Sequence, residues 1–141
     1  MKRQRHHLHT ILATIAFAAF GINTALLLAA DIGPVRTVEL IADKDDRFKL
    51  PNGEKGPLEL KAGETVKFRI TSYFGGEKAH DGAVHSFVVR KLRDKGWSFR
   101  LYEGVQEFTL TAPPPGSYLI ECTVECGRGH DDMSLPMLVV K

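Results

Sequence analysis

Residues 122–133 read CTVECGRGHDDM and put four soft donors on one short segment: the thiols of Cys122 and Cys126, the imidazole of His130 and the thioether of Met133. This spacing constrains the fold more than any other feature of the chain. Donors so close in sequence converge on one point only if the segment forms a tight loop, and such a loop keeps its shape only on a rigid scaffold. Sulfur ligands with imidazole favour copper. Hard cations want oxygen, and the carboxylates of Glu125, Asp131 and Asp132 interleave with the soft donors without replacing them. Zinc also takes Cys and His. The methionine argues for copper, because a thioether is a common axial copper ligand and a poor zinc ligand.

A disulfide between Cys122 and Cys126 is the plainer reading, since paired cysteines in exported chains usually bridge. On that reading Met133 is core filler and His130 a surface residue. The joint occurrence of the four donors tips the balance to copper. Gly127 and Gly129 also lie between the second Cys and the His, where a tight ligand loop needs unusual backbone angles.

The scaffold reads as β. Val35–Ala42 is a first strand, a short extended piece follows at Phe48–Leu50, and Leu58–Leu60 precedes the turn at Lys61–Glu64. Thr65–Ser72 alternates, with Val66, Phe68 and Ile70 on one face and Lys67, Arg69 and Thr71 on the other, the period of a half-buried strand. A polar, Gly-rich loop with His80 leads to a strand from His85 to about Arg90. Gly96–Tyr102 and Gln106–Ala112 follow. The run Pro113-Pro114-Pro115-Gly116 then stops any strand, Ser117–Cys122 delivers the first thiol, and Met137–Val140 closes the chain. Seven or eight short strands with turns between them indicate a β-sandwich. A chain of 141 residues has room for one domain of ordinary size.

The pattern Cys-x3-Cys-Gly-x2-His-x2-Met resembles the ligand loop of the binuclear copper (CuA) domain of cytochrome c oxidase subunit II, also used by nitrous oxide reductase. Upstream, Val84-His85-Ser86-Phe87-Val88-Val89 is similar to the strand that carries that family's remaining His, and Leu60–Phe68 is similar to a turn-strand element of many cupredoxins. The resemblance spans roughly residues 57–141. It implies a cupredoxin Greek-key β-sandwich in which Cys122 and Cys126 bridge two copper ions and His85 and His130 each bind one. Met133 is then a weak ligand, and the backbone carbonyl of Val124 is the last. Oxidase subunits carry a Glu at that place, whose side chain reaches a magnesium site, and they usually have two membrane helices. With Val124 and at most one apolar segment, this chain is better read as a stand-alone copper protein than as an ordinary oxidase subunit.

The expected function is therefore copper-dependent electron transfer, with no catalytic machinery of its own. Two alternatives stand beside it. One is a mononuclear cupredoxin using His85, one Cys, His130 and Met133. The other is copper handling or tolerance, in which the metal is cargo.

The first 30 residues form a separate region. Lys2, Arg3 and Arg5 precede an uncharged apolar run from Ile11 to Ala30. That order fits a secretory signal or a single membrane anchor, and either exports residues 31–141 to the periplasm or outer membrane face. Subtracting the three basic residues of this region from 19 leaves 16 against 17 acidic ones, so the domain is near neutral and lacks the basic footprint of a nucleic-acid binder. The remaining charge feature is Arg90, Lys91, Arg93 and Lys95 beside Trp97. A solvated loop is the bland reading. The sharper one is a docking patch for an acidic face of a redox partner, with Trp97 as aromatic anchor.

Overall fold

The computed structural model describes residues 35–54 and 56–141. The apolar run at 11–30, and with it the choice between signal and anchor, lies outside the described residues. Among the described residues no helix is long and apolar enough to cross a membrane.

Among the described residues, nine strands form two sheets. In chain order they are β1 (Arg36–Asp43), β2 (Arg47–Lys49), β3 (Leu58–Lys61), β4 (Thr65–Ser72), β5 (His85–Val88), β6 (Ser98–Leu101), β7 (Gly104–Thr111), β8 (Gly116–Glu121) and β9 (Ser134–Val140). One sheet runs β2-β1-β4-β7 and the other β3-β9-β8-β5-β6. Two pairings are parallel, β1 with β4 and β3 with β9, and the rest are antiparallel. This is the cupredoxin β-sandwich that the sequence leads one to expect.

The alternation in β4 is realised residue by residue: Val66, Phe68, Ile70 and Ser72 are buried, and the residues between them are half-buried. The same period explains β9, where Leu135, Met137 and Val139 face inward. This strand begins three residues earlier than the apolar run alone suggests, because Pro136 lies inside it. Pro136 pairs with Leu119 of β8, and β3 joins the other side only from Met137 onward. A residue without an N–H is tolerated where one side of the strand is still unpaired.

An aromatic cluster fills the space between the sheets. Phe68 of β4 lies 5.1 Å from Phe87 of β5, 5.8 Å from Trp97 and 5.7 Å from Phe108 of β7, measured between ring centroids. Phe99 stacks on Phe108 at 3.8 Å. Such pairs add about 0.5–1.5 kcal/mol each beyond the area they bury.

Trp97 belongs to this cluster, and that corrects one sequence expectation. It is 3% exposed, so it is a core residue and not an anchor at the centre of a docking face. The reason lies in the preceding segment. Arg90–Lys95 is a 3-10 helix in place of an extended continuation of β5, with its apolar side chain, Leu92, buried. Gly96 closes it at φ 84°, a left-handed conformation that glycine adopts without strain. The turn is sealed by the Trp97 N–H donating to the Leu92 carbonyl at 3.1 Å, and the indole then enters the core. The charged side chains of the turn remain exposed.

Candidate metal centre

Two segments build the site. β5 supplies His85, and the chain leaving β8 supplies the rest. Along β8 the inward positions are Tyr118 and Ile120, and the same period brings Cys122 inward one residue past the strand. The segment then turns back through a short 3-10 helix at His130–Asp132 and enters β9. The loop is closed on itself by the Cys122 N–H donating to the Met133 carbonyl at 3.0 Å, and by the His130 N–H donating to the Gly127 carbonyl at 3.2 Å. Donors at both ends of the loop thereby face each other.

The ligating atoms of His85, Cys122 and Cys126 lie within 4.8 Å of one another, and all three residues are buried. The two sulfurs are 3.7 Å apart and both cysteines are free. This is far beyond the S–S bond of about 2.05 Å, so the disulfide reading does not describe the structure. Cys126 Sγ also lies 3.7 Å from His130 Nδ1 and 3.7 Å from Met133 Sδ. The Val124 carbonyl is 3.3 Å from Cys122 Sγ. His85, Cys122, Val124, Cys126, His130 and Met133, the six residues the sequence singles out, therefore meet in one cluster. His130 is its half-exposed member. His80 is an exposed loop residue outside this cluster.

The tautomer of His85 follows from its partner. Nε2 lies 2.8 Å from the Tyr73 carbonyl, which can only accept, so Nε2 carries the proton. Nδ1 is then a bare acceptor. It is buried, and it has no hydrogen-bond partner among the described residues. A hydrogen bond that fixes one ring nitrogen and leaves the other free is the usual support for a metal-binding imidazole.

The thiols differ from one another. Cys122 is held well below the ordinary thiol range, first by its hydrogen bond with Cys126 and then by the backbone at Val124 and Ser86, against the opposing effect of burial. Cys126 is pushed up by the same hydrogen bond, by burial and by the charge of the neighbouring thiolate. Two anionic sulfurs this close without a cation are unfavourable, so the pair keeps one proton. A soft cation with a positive charge relieves that conflict, and the donor set fits copper on this ground as well as on softness.

Sequence reasoning missed the residues that hold the ligands. Ser86 donates its N–H to Cys122 Sγ at 3.4 Å, and its Oγ accepts from the Thr123 N–H at 2.7 Å. It thus ties β5 to the start of the ligand loop. Its place directly after His85 was the available signal. The Tyr73 carbonyl has no sequence signal at all, since any residue supplies it.

No protein-family model matches the sequence, and no curated protein matches it. Solved structures do. A chain of a heme-copper terminal oxidase dimer is similar at 18% identity and a TM-score of 0.56, over 79% of this chain and 76% of that one. The periplasmic domain of subunit II of cytochrome oxidase of Bradyrhizobium japonicum is similar at 16% identity and a TM-score of 0.53, over 78% and 88%. Subunit II of cytochrome c oxidase in a mixed-disulfide intermediate with a thioredoxin-like protein gives 15% identity and a TM-score of 0.52, over 79% and 87%. At such identities the likeness is one of fold.

Proposed function

We propose that the protein is an exported, copper-binding electron carrier whose centre holds two copper ions. The observation that carries this reading is the convergence of six soft or neutral donors on one point, with both thiols buried and turned into it. A mononuclear centre needs one thiol and leaves the other idle. Here the ligating atoms of His85, Cys122 and Cys126 lie within 4.8 Å of one another, while Cys126 Sγ also neighbours His130 and Met133. Two thiols and two imidazoles in one cluster suit two ions held by both thiolates. His85 and His130 would bind one ion each, Val124 would offer its carbonyl, and Met133 would be the weak ligand.

Copper bound there supplies a one-electron couple. The chain's part is to keep its ligands still while the charge changes, because rearrangement slows transfer. The loop between two strands, the Ser86 tie and the fixed tautomer of His85 all serve that end. The likeness to oxidase subunit II domains supports the same reading, and the basic start and apolar run of the first 30 residues support export.

The partner presents an acidic face. Arg90 pairs with Glu121 at 3.0 Å, whereas Lys91, Arg93 and Lys95 are exposed and form no ion pair among the described residues. Arg90 also lines a cavity of about 190 Å³ together with Cys122, His130 and Met133, so the basic turn adjoins the ligand end. Reversing Lys91 and Arg93 to Glu slows electron exchange with the partner at low salt, and the effect shrinks as salt rises. An unchanged rate at low salt makes the turn a solvated face.

The decisive experiment is the copper-to-protein ratio of the reconstituted full chain, read with its electron paramagnetic resonance spectrum. Two copper ions per chain and hyperfine coupling to two equivalent nuclei are expected. A saturating ratio of one with single-copper hyperfine structure replaces this reading with the mononuclear one.

A further inference from the structure

Asp46 stands outside the ligand set and outside every motif of the sequence. It is 4% exposed, although it belongs to the turn between β1 and β2, where its neighbours Lys44 and Asp45 are exposed. Its backbone is left-handed, φ 56°, a conformation that Asp tolerates better than most residues. A carboxylate is buried at such cost only where something is gained from it.

What it meets is the ligand loop. Asp46 Oδ2 accepts the Gly129 N–H at 3.0 Å. The next residue, Arg47, donates through Nη1 to the Gly129 carbonyl at 2.9 Å, and the same Nη1 donates to the Asp46 carbonyl at 2.9 Å. Arg47 Nη2 reaches Asp132 Oδ2 at 3.3 Å. Two consecutive residues thus grip both backbone polar groups of the residue just before His130. The fit around the carboxylate is close. A Cβ at Gly127 would lie 2.6 Å from Asp46 Oδ2, and one at Gly129 would lie 2.8 Å from Asp46 Cβ. A Cβ at Gly75, on the other side, would strike Asp46 Oδ1 and lie 3.0 Å from the Cys126 carbonyl. These positions leave no room for a side chain, because Asp46 occupies it.

We infer that Asp46 is a positioning residue of the copper centre: it clasps the Gly127–Gly129 turn and so sets the placement of Cys126 and His130 before any metal arrives. This rests on the copper reading above for its consequence, and on the metal-free chain for its mechanism. Outer residues that orient metal ligands are worth about 10–100-fold in metal affinity. Asp46 is not itself a ligand, and its effect passes through the Gly129 peptide.

The test compares Asp46→Ala with Asp46→Asn in the full chain. Asn keeps a carbonyl acceptor and tolerates the left-handed backbone; Ala loses the acceptor. Amide exchange of Gly129, followed by NMR in the metal-free chain, is expected to be slow in the wild type and in the Asn variant, and fast in the Ala variant. Copper is expected to leave the Ala variant about 10–100-fold faster than the wild type, with an altered resonance spectrum, and the Asn variant is expected to restore both. Equal Gly129 exchange in all three overturns the proposal. So does an Ala variant that unfolds at a lower temperature yet, once folded, holds copper as the wild type does, because that is a purely structural role. Should Ala fail to fold, Arg47→Met, which frees the Gly129 carbonyl, must show the same faster copper loss or the clasp is wrong. A wild-type chain that binds no copper defeats the copper reading itself, and the Gly129 exchange still decides whether Asp46 holds the loop.

Discussion

Phe68 and Cys126 are equally sealed from water, both 0% exposed, but they are surrounded in opposite ways. Phe68 has three aromatic neighbours at 5.1–5.8 Å and no polar group to satisfy. Cys126 Sγ looks at another sulfur, an imidazole nitrogen and a thioether, each at 3.7 Å, with no covalent partner among them. The buried side-chain atoms that lack a hydrogen-bond partner, among the described residues, are Asp46 Oδ1, Ser72 Oγ and His85 Nδ1. His85 belongs to the ligand cluster, Asp46 holds its loop, and Ser72 precedes Tyr73, whose carbonyl orients His85. The aromatic region is complete as it stands. The ligand end holds bare buried acceptors, and an orphaned buried acceptor costs stability unless something binds it. The difference separates the packing that makes the chain fold from the end to which the copper reading assigns its function.

Truncation should split the two regions cleanly. Phe68→Ala removes a ring from a packed cluster and is expected to cost about 3–5 kcal/mol in the metal-free chain. Cys126→Ser is expected to leave the metal-free chain folded, with a loss well below that, and to abolish the coloured copper centre. Denaturant unfolding and copper content measure the two effects. If Cys126→Ser destabilised the metal-free chain as much as Phe68→Ala does, the ligand end would be core by another name.

A milder change tests gradation inside the ligand end. Met133 is 2% exposed, and leucine has nearly its volume, so Met133→Leu should cost less than about 1.5 kcal/mol. It removes the thioether and keeps the thiolates. Copper is expected to stay bound while the reduction potential shifts, since an axial thioether tunes the couple more than it holds the metal. Equal copper loss in Met133→Leu and Cys126→Ser would put the methionine on a level with the thiolates.

The two regions also differ in how far they can be read from the sequence. Core strands are legible because burial writes a period of two into them, as in Val66, Phe68 and Ile70. Four donors of the ligand end, Cys122, Cys126, His130 and Met133, are legible because their chemistry is unusual and they lie within twelve residues, whereas the Val124 carbonyl comes only from the family resemblance and His85 only from that resemblance and its pairing with the loop. Trp97 misleads, since an aromatic beside four basic residues has no periodic context to reveal that a 3-10 turn carries it inward. Asp46 is hidden among Asp43 and Asp45, which look the same and stay closer to solvent. Only the fold brings residue 46 against residue 129, and no local pattern encodes a contact between segments so far apart.

The smallest effect concerns the hairpin that presents Asp46, which lies between β1 and β2. Lys49 Nζ lies 2.6 Å from Asp43 Oδ2 and 2.6 Å from Asp45 Oδ2, closing the turn from outside. The carboxyl of Asp43 is held below its ordinary value, first by the hydrogen bond from Lys49 and next, against burial, by the Lys44 N–H. Its folded pKa is therefore lower than its unfolded one. The stabilisation is complete above the unfolded value, near 3.8, and disappears as pH falls through the folded value. Lys49 is raised by the same contacts, so its share is complete below 10.5 and disappears as pH climbs through its higher folded value. For a pair this close to solvent the worth is about 0.2–1 kcal/mol. Lys49→Met should therefore unfold slightly more easily than the wild type near neutral pH, with the gap closing as pH falls below 3.8 through the lower folded value and narrowing in high salt. A gap of the same size in acid would assign the effect to the lysine's alkyl chain packing on the hairpin. The clasp on Gly129 should barely register the change, because Arg47 and Asp46 reach the ligand loop without using Lys49.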